Sequence, residues 1–156
     1  DDRAKAVVKC AGTIAKAAAK FASARAKTVQ KCAASLHACV QVKPADAKCR
    51  TKAGAGCVKQ FAKLTAPGKG AAAKLAAAIG KSCTKAPLVL ADVLATSGAG
   101  FDLLGGECTA LGGGLGSITG LADCVARRHA CRVDQMLENE LPRIRELLAI
   151  AGVALP

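Results

Sequence analysis

Four cysteines set the first constraint. Cys32 and Cys39 are seven residues apart, Cys49 and Cys57 eight. Seven residues is about two helical turns, so each pair lies on one face of its own helix. Between the pairs, Val42-Lys43-Pro44-Ala45-Asp46 reads as a turn followed by a helix cap. Folding the chain at Pro44 sets Cys39 opposite Cys49 and Cys32 opposite Cys57, as an antiparallel disulfide ladder needs. The spacing predicts an all-α fold: a long helical hairpin stapled by Cys32–Cys57 and Cys39–Cys49.

Helical periodicity extends the hairpin. Residues 3–42 are rich in Ala and Lys, strong helix formers, with no Pro to interrupt them. Val7, Cys10, Ile14, Ala18, Phe21, Val29, Cys32, Leu36 and Cys39 recur at spacings of three, four and their sums, which marks the inward face. A second helix is expected over 46–64, a break at Thr65-Ala66-Pro67-Gly68-Lys69-Gly70, and a third helix over 70–84 with Leu75 and Ile79 inward. The second and third return along the first and bring Cys83 to Cys10, a third staple. Pro87 opens a short apolar helix from Leu88 to Ala95. Residues 97–120 interleave Gly with Leu, neither a strong helix nor a strand pattern, and such an apolar stretch needs cover from the hairpin or a neighbour. Helices over 118–139 and from Arg143 to Ala151 close the chain. The expected organisation is a basic hairpin, residues 1–85, continuous with a smaller Gly-rich and helical part, residues 86–156.

Nine cysteines in 156 residues point to an oxidising compartment. No C-x-x-C occurs, which argues against a zinc ribbon. Of Cys108, Cys124 and Cys131, Cys108 is expected to pair with Cys124 or Cys131. The one left over is a candidate interchain thiol or a buried free cysteine. A start at Asp1-Asp2-Arg3 is what signal cleavage would leave. No run of 18 apolar residues is present to span a membrane. The localisation expected is secreted, extracellular or at a cell surface.

Charge is split along the chain. Residues 1–85 hold 18 Lys/Arg and three Asp; residues 86–156 hold five Arg and eight Asp/Glu. Such a molecule can bind polyanions, or its own kind head to tail. Lys9, Lys16, Lys20, Lys27, Lys31, Lys59 and Lys63 are the candidate polyanion contacts, with acidic polysaccharide or nucleic acid as partner. A lysine face is more commonly just solvated. There is no aromatic interleaving for base stacking and no nucleic-acid motif.

Cys32 to Cys39 and Cys124 to Cys131 share the pattern C-x4-H-A-C and contain the two histidines, His37 and His129. A bis-His site for haem or metal is the sharp reading. On a helix, however, each His lies about 140° to 160° around from its cysteines, so an outward His on a stapled helix is the plain one. Without C-x-x-C-H, covalent c-type haem is excluded. Gly112-Gly113-Gly114-Leu115-Gly116 lacks the Gly-Lys-Ser/Thr and preceding strand of a phosphate loop. Neither a Ser/His/Asp constellation nor a nucleophile elbow can be argued. An apolar face made mostly of Ala is too weak for deep insertion into a membrane.

Lys9-Cys10, Ala19-Lys20-Phe21, Gln30-Lys31-Cys32, and the tail from Arg128-His129-Ala130-Cys131 through Pro142-Arg143 to Glu146-Leu147-Leu148 resemble a group of exported bacterial proteins rich in Ala, Lys and Cys, of uncharacterised function. The resemblance implies export and disulfides; it carries no activity. Ala fills little core volume, the charge is split, the Gly-rich segment needs cover and one cysteine is unmatched. Together these give the first functional reading: a non-enzymatic, cofactor-free structural subunit of an extracellular filament, sheath or surface assembly that self-associates. The second is a polyanion-binding module using the lysines of residues 5–85. The third is a haem or metal carrier using His37 and His129.

Overall fold

The computed structural model describes residues 1–155. Every regular element among them is helical: α1 (Asp2–Val42), α2 (Ala47–Thr65), α3 (Ala71–Cys83), α4 (Leu90–Leu94), a 3-10 turn (Phe101–Leu104), α5 (Gly105–Ala110), α6 (Ile118–Glu140) and α7 (Ile144–Ile150). The spine is α1. Its 41 residues would reach about 60 Å. The Asp1 carboxylate accepts from the Arg3 amide at 3.0 Å and caps its start. It ends where Lys43, next to Pro44, leaves helical geometry at φ −134°, ψ 56°. Asp46 then accepts from the Cys49 amide at 3.0 Å and starts α2.

Disulfides join Cys32–Cys57 and Cys39–Cys49, with Cα atoms 5.1 and 5.6 Å apart, so α2 runs antiparallel to α1. The chain breaks at residues 66–70, where Gly68 takes φ +67°, and α3 continues the return to the Cys10–Cys83 disulfide. The fourth disulfide is Cys108–Cys124, which ties α5 to α6 and leaves Cys131 unpaired and half-buried.

α6 runs along α1 in the same direction. Its first half, through Leu121, Ala122 and Val125, joins Cys10, Ile14, Ala18 and Phe21 of α1 and Leu75, Ile79 and Cys83 of α3 in one core cluster. Its second half, through Val133 and Leu137, joins Val29, Cys32, Ala33 and Leu36 of α1 and Ile144, Leu147 and Leu148 of α7 in another. Both clusters therefore draw on residues from either side of position 85. Small side chains let helices approach closely: a methyl added at Gly54 of α2 would lie 3.4 Å from the Ala151 Cα after α7. Every residue expected on the inward face of α1 is buried except Val7, which is half-buried.

The glycine-rich stretch is more ordered than its composition suggests. It forms the 3-10 turn and α5, and Phe101, Leu115 and Ile118 pack on the first core cluster, while Leu103 stays exposed. The helix expected from Leu88 shrinks to Leu90–Leu94. There Asp92 accepts from the Val89 amide at 2.9 Å, so the cap lies one residue beyond Leu88. Among the described residues no helix is long and apolar enough to cross a membrane.

Candidate functional site

Arginine and lysine are used in opposite ways. Among the described residues seven of the eight arginines are ion-paired: Arg3 with Asp92, Arg25 with Asp134, Arg127 with Asp123, Arg128 and Arg132 with Glu107, Arg143 with Glu146, and Arg145 with Glu138. The eighth, Arg50, donates to the Pro44 carbonyl at 2.7 Å. The guanidinium forks hold the carboxyls of Asp92, Glu107 and Glu146 below their ordinary range, chiefly by hydrogen bonding. Six of the eight carboxylates after residue 85 are thereby engaged within the chain. Asp102 and Glu140 are the two left over among the described residues. The negative charge after residue 85 is thus mostly matched by arginines of the same chain.

All 15 lysines are exposed, and among the described residues Lys5 alone has a carboxylate partner, Asp2 at 3.5 Å. Their spacing carries a register. Lys5/Lys9, Lys16/Lys20 and Lys27/Lys31 of α1 are pairs four apart that repeat every eleven residues, each preceded by Ala; Lys48/Lys52 and Lys59/Lys63 repeat it in α2. Eleven residues is three turns plus about 20°, so the repeat stays on one face. The six α1 lysines fall within an arc of about 80° over about 39 Å of helix. Like charges four apart on a helix repel, and five such pairs cost about 1–2 kcal/mol together.

The stripe borders the seam between α1 and the returning α3 and α2, where three grooves join end to end. The first, about 420 Å³, is lined by Lys9, Lys81 and Lys85 beside the Thr13–Ser82 hydroxyl pair. The second, about 690 Å³, is lined by Lys16, Lys20, Lys63, Lys69 and Lys74. The third, about 320 Å³, is lined by Lys31 and Lys52 beside the Cys32–Cys57 and Cys39–Cys49 disulfides. Thr13 and Ala78 belong to both the first and the second, and Gln60 to both the second and the third. Among the described residues no Asp or Glu lines any of the three.

Of the candidate polyanion contacts, Lys9, Lys16, Lys20, Lys31 and Lys63 line the seam, while Lys27 and Lys59 are exposed but outside its lining. Lys52, Lys69, Lys74, Lys81 and Lys85 also line the seam and lie outside those seven candidates. Their four-and-seven spacing was the available signal for all but Lys69.

The histidines stand apart from the seam. His37 is exposed on α1. Burial, and then the neighbouring cations Arg128 and Arg132, lower the pKa of His129 below its ordinary value, with Glu107 opposing. Two adjacent guanidiniums are poor company for a metal cation. Among the described residues no group of three or more His, Cys, Asp or Glu is placed to hold a metal ion. No family model, curated protein or solved structure matches this chain.

Proposed function

We propose that this chain binds a linear acidic polysaccharide along the α1 seam, in an oxidising compartment and without a catalytic step. The observation that carries the reading is the three joined grooves, lined among the described residues by ten lysines and no Asp or Glu. Repeated lysine pairs repel one another in the free protein, and an extended polyanion removes that repulsion while releasing its own counterions. Four disulfides favour an extracellular setting, as does the resemblance to exported proteins. A nucleic acid is a poorer fit: the chain has no Trp or Tyr, and Phe21, the aromatic of the seam, is buried.

Calorimetric titration with polygalacturonate, and with single-stranded DNA as competitor, tests this. The triple variant Lys16→Glu/Lys20→Glu/Lys63→Glu should weaken polysaccharide binding about 100-fold, since each reversal puts repulsion where an attractive contact stood. Lys43→Glu, at the hinge, should change it little. Equal loss in both variants, or preference for the DNA, would overturn the reading.

A structural subunit of an extracellular assembly is the second reading. What favours it is the unpaired, half-buried Cys131 together with exposed apolar side chains such as Val8, Val42, Val58 and Leu103. With the carboxylates engaged by arginines, such an assembly rests on these residues and not on charge. The particle mass with and without reductant tests it: a mass far above 15.6 kDa supports assembly, and a monomer in both conditions removes it.

A further inference from the structure

The middle of the seam departs from its own repeat. The residue after each α1 lysine pair is Cys10, Phe21 and Cys32 in turn. The outer two are disulfide-bonded to Cys83 and Cys57 and hold α3 and α2 tight against α1. At the centre a phenyl ring stands in place of a staple, opposite the break between α2 and α3, and the seam widens there to about 690 Å³. That volume is in the range of pockets for small organic ligands.

The groove has two chemistries. Its floor is Phe21, Leu64 and Leu75 with Ala17 and Ala24; its rim is five lysines. Lysine stems extend the apolar wall while their ammonium groups stay at the edge. Thr28, 8% exposed and one of two buried polar residues described, adds a hydroxyl to the wall. A bare inorganic anion would leave the floor unused, and a neutral alkane would leave five cations without a counter-charge.

We propose that this central groove binds a single-chain amphiphile bearing a phosphate, sulfate or carboxylate head. The tail lies over Phe21 between α1 and the α2–α3 break, and the head sits among Lys16, Lys20, Lys63, Lys69 and Lys74. The site shares lysines with the polysaccharide seam but depends on the apolar floor, which a polysaccharide does not need.

The test is calorimetry on the full, disulfide-intact chain with alkyl phosphates kept below their micelle concentrations. Affinity should rise about three- to fourfold per methylene from butyl phosphate upward until the groove is filled, at one site per chain. A neutral dodecyl glucoside should bind about tenfold more weakly than dodecyl phosphate, having no partner for the lysines. Ala17→Phe, which fills the groove without altering charge, should weaken dodecyl phosphate about tenfold while polygalacturonate binding persists. Equal affinity for butyl and dodecyl phosphate would reduce the site to a head-group contact and overturn the proposal. Equal affinity for the phosphate and the glucoside would overturn it as unspecific apolar binding. Both of these comparisons use the unaltered chain and stand even where Ala17→Phe fails to fold. For the unaltered chain, dodecyl phosphate binding with this chain-length dependence but no polygalacturonate binding would support the central site and overturn the polysaccharide reading alone.

Discussion

The ion pair between Arg25 and Asp134 ties the middle of α1 to α6 where the two core clusters meet. The arginine side chain is 12% exposed and the aspartate 1%. Arg25 Nε donates to one carboxylate oxygen at 2.8 Å, Nη2 donates to the other, and the guanidinium lies 6.0 Å from the Phe61 ring centre. Arg25→Ala would leave a carboxylate almost sealed from water with no counter-charge. Breaking a buried pair from one side costs about 3–5 kcal/mol, because the remaining charge keeps its desolvation penalty. For a chain of this size each kcal/mol moves Tm by about 2–4 °C, so the midpoint should fall by about 6–20 °C. Urea unfolding followed by far-ultraviolet circular dichroism, disulfides intact at pH 7, gives the free energy directly. Replacing both partners, Arg25→Met/Asp134→Leu, should recover stability to within about 1 kcal/mol of the parent, since no charge is then stranded. A loss below about 1 kcal/mol for Arg25→Ala, or a double variant as unstable as the single, would refute the reasoning.

The disulfides should differ by the length of chain they close. With separations of 73 and 10 residues, loop entropy assigns about 4.4 kcal/mol to Cys10–Cys83 and about 2.7 kcal/mol to Cys39–Cys49. Replacing each pair with alanines should therefore lower the urea midpoint more for the first. Stability should also fall on mild acidification. His129 resists protonation in the folded state relative to its ordinary 6.5, so its contribution is complete above that value and declines as pH drops toward the lower folded pKa. His129→Gln should flatten the urea midpoint between pH 7.5 and 5. A second decline should begin below the ordinary carboxylate values, 3.8 for Asp92 and 4.5 for Glu107 and Glu146, as the ion pairs that depress them are protonated. Two glycines should respond oppositely to alanine, as read by thermal unfolding. At Gly70 the new methyl would lie 2.5 Å from the Leu64 carbonyl oxygen and 2.7 Å from the Ala66 nitrogen, so the α2–α3 break must distort. At Gly56, inside α2 with nothing within 4 Å, alanine should stabilise by about 0.5–1 kcal/mol.

The hairpin was legible because its determinants are local. Two cysteine pairs at helical spacing, a proline between them and a cap at Asp46 define the fold-back without any distant contact. The placement of α6 was not, since its direction along α1 depends on pairs such as Arg25 with Asp134, 109 residues apart. Cys108 had two partners equally open in sequence; the short α5, formed within the glycine-rich stretch, places it against Cys124. Arginine and lysine looked alike as positive charge. The fold separates them, because the planar, forked guanidinium serves the interior and inter-helix carboxylates while the flexible ammoniums remain outside. The central groove was hidden for a similar reason. Phe21 reads in sequence as one more inward residue, and only the break at residues 66–70, brought opposite it, turns that position into a floor.

The most direct test of the lysine seam is the salt dependence of polygalacturonate affinity for the parent chain. A linear polyanion lying along the seam should give a plot of log K against log salt with a slope of about −5 to −7, given ten seam lysines and roughly 0.7 counterion released per single-strand contact. Replacing Lys16, Lys20 and Lys63 with Gln should flatten it by about 2. A slope near zero, or one unmoved by the triple substitution, would contradict the account.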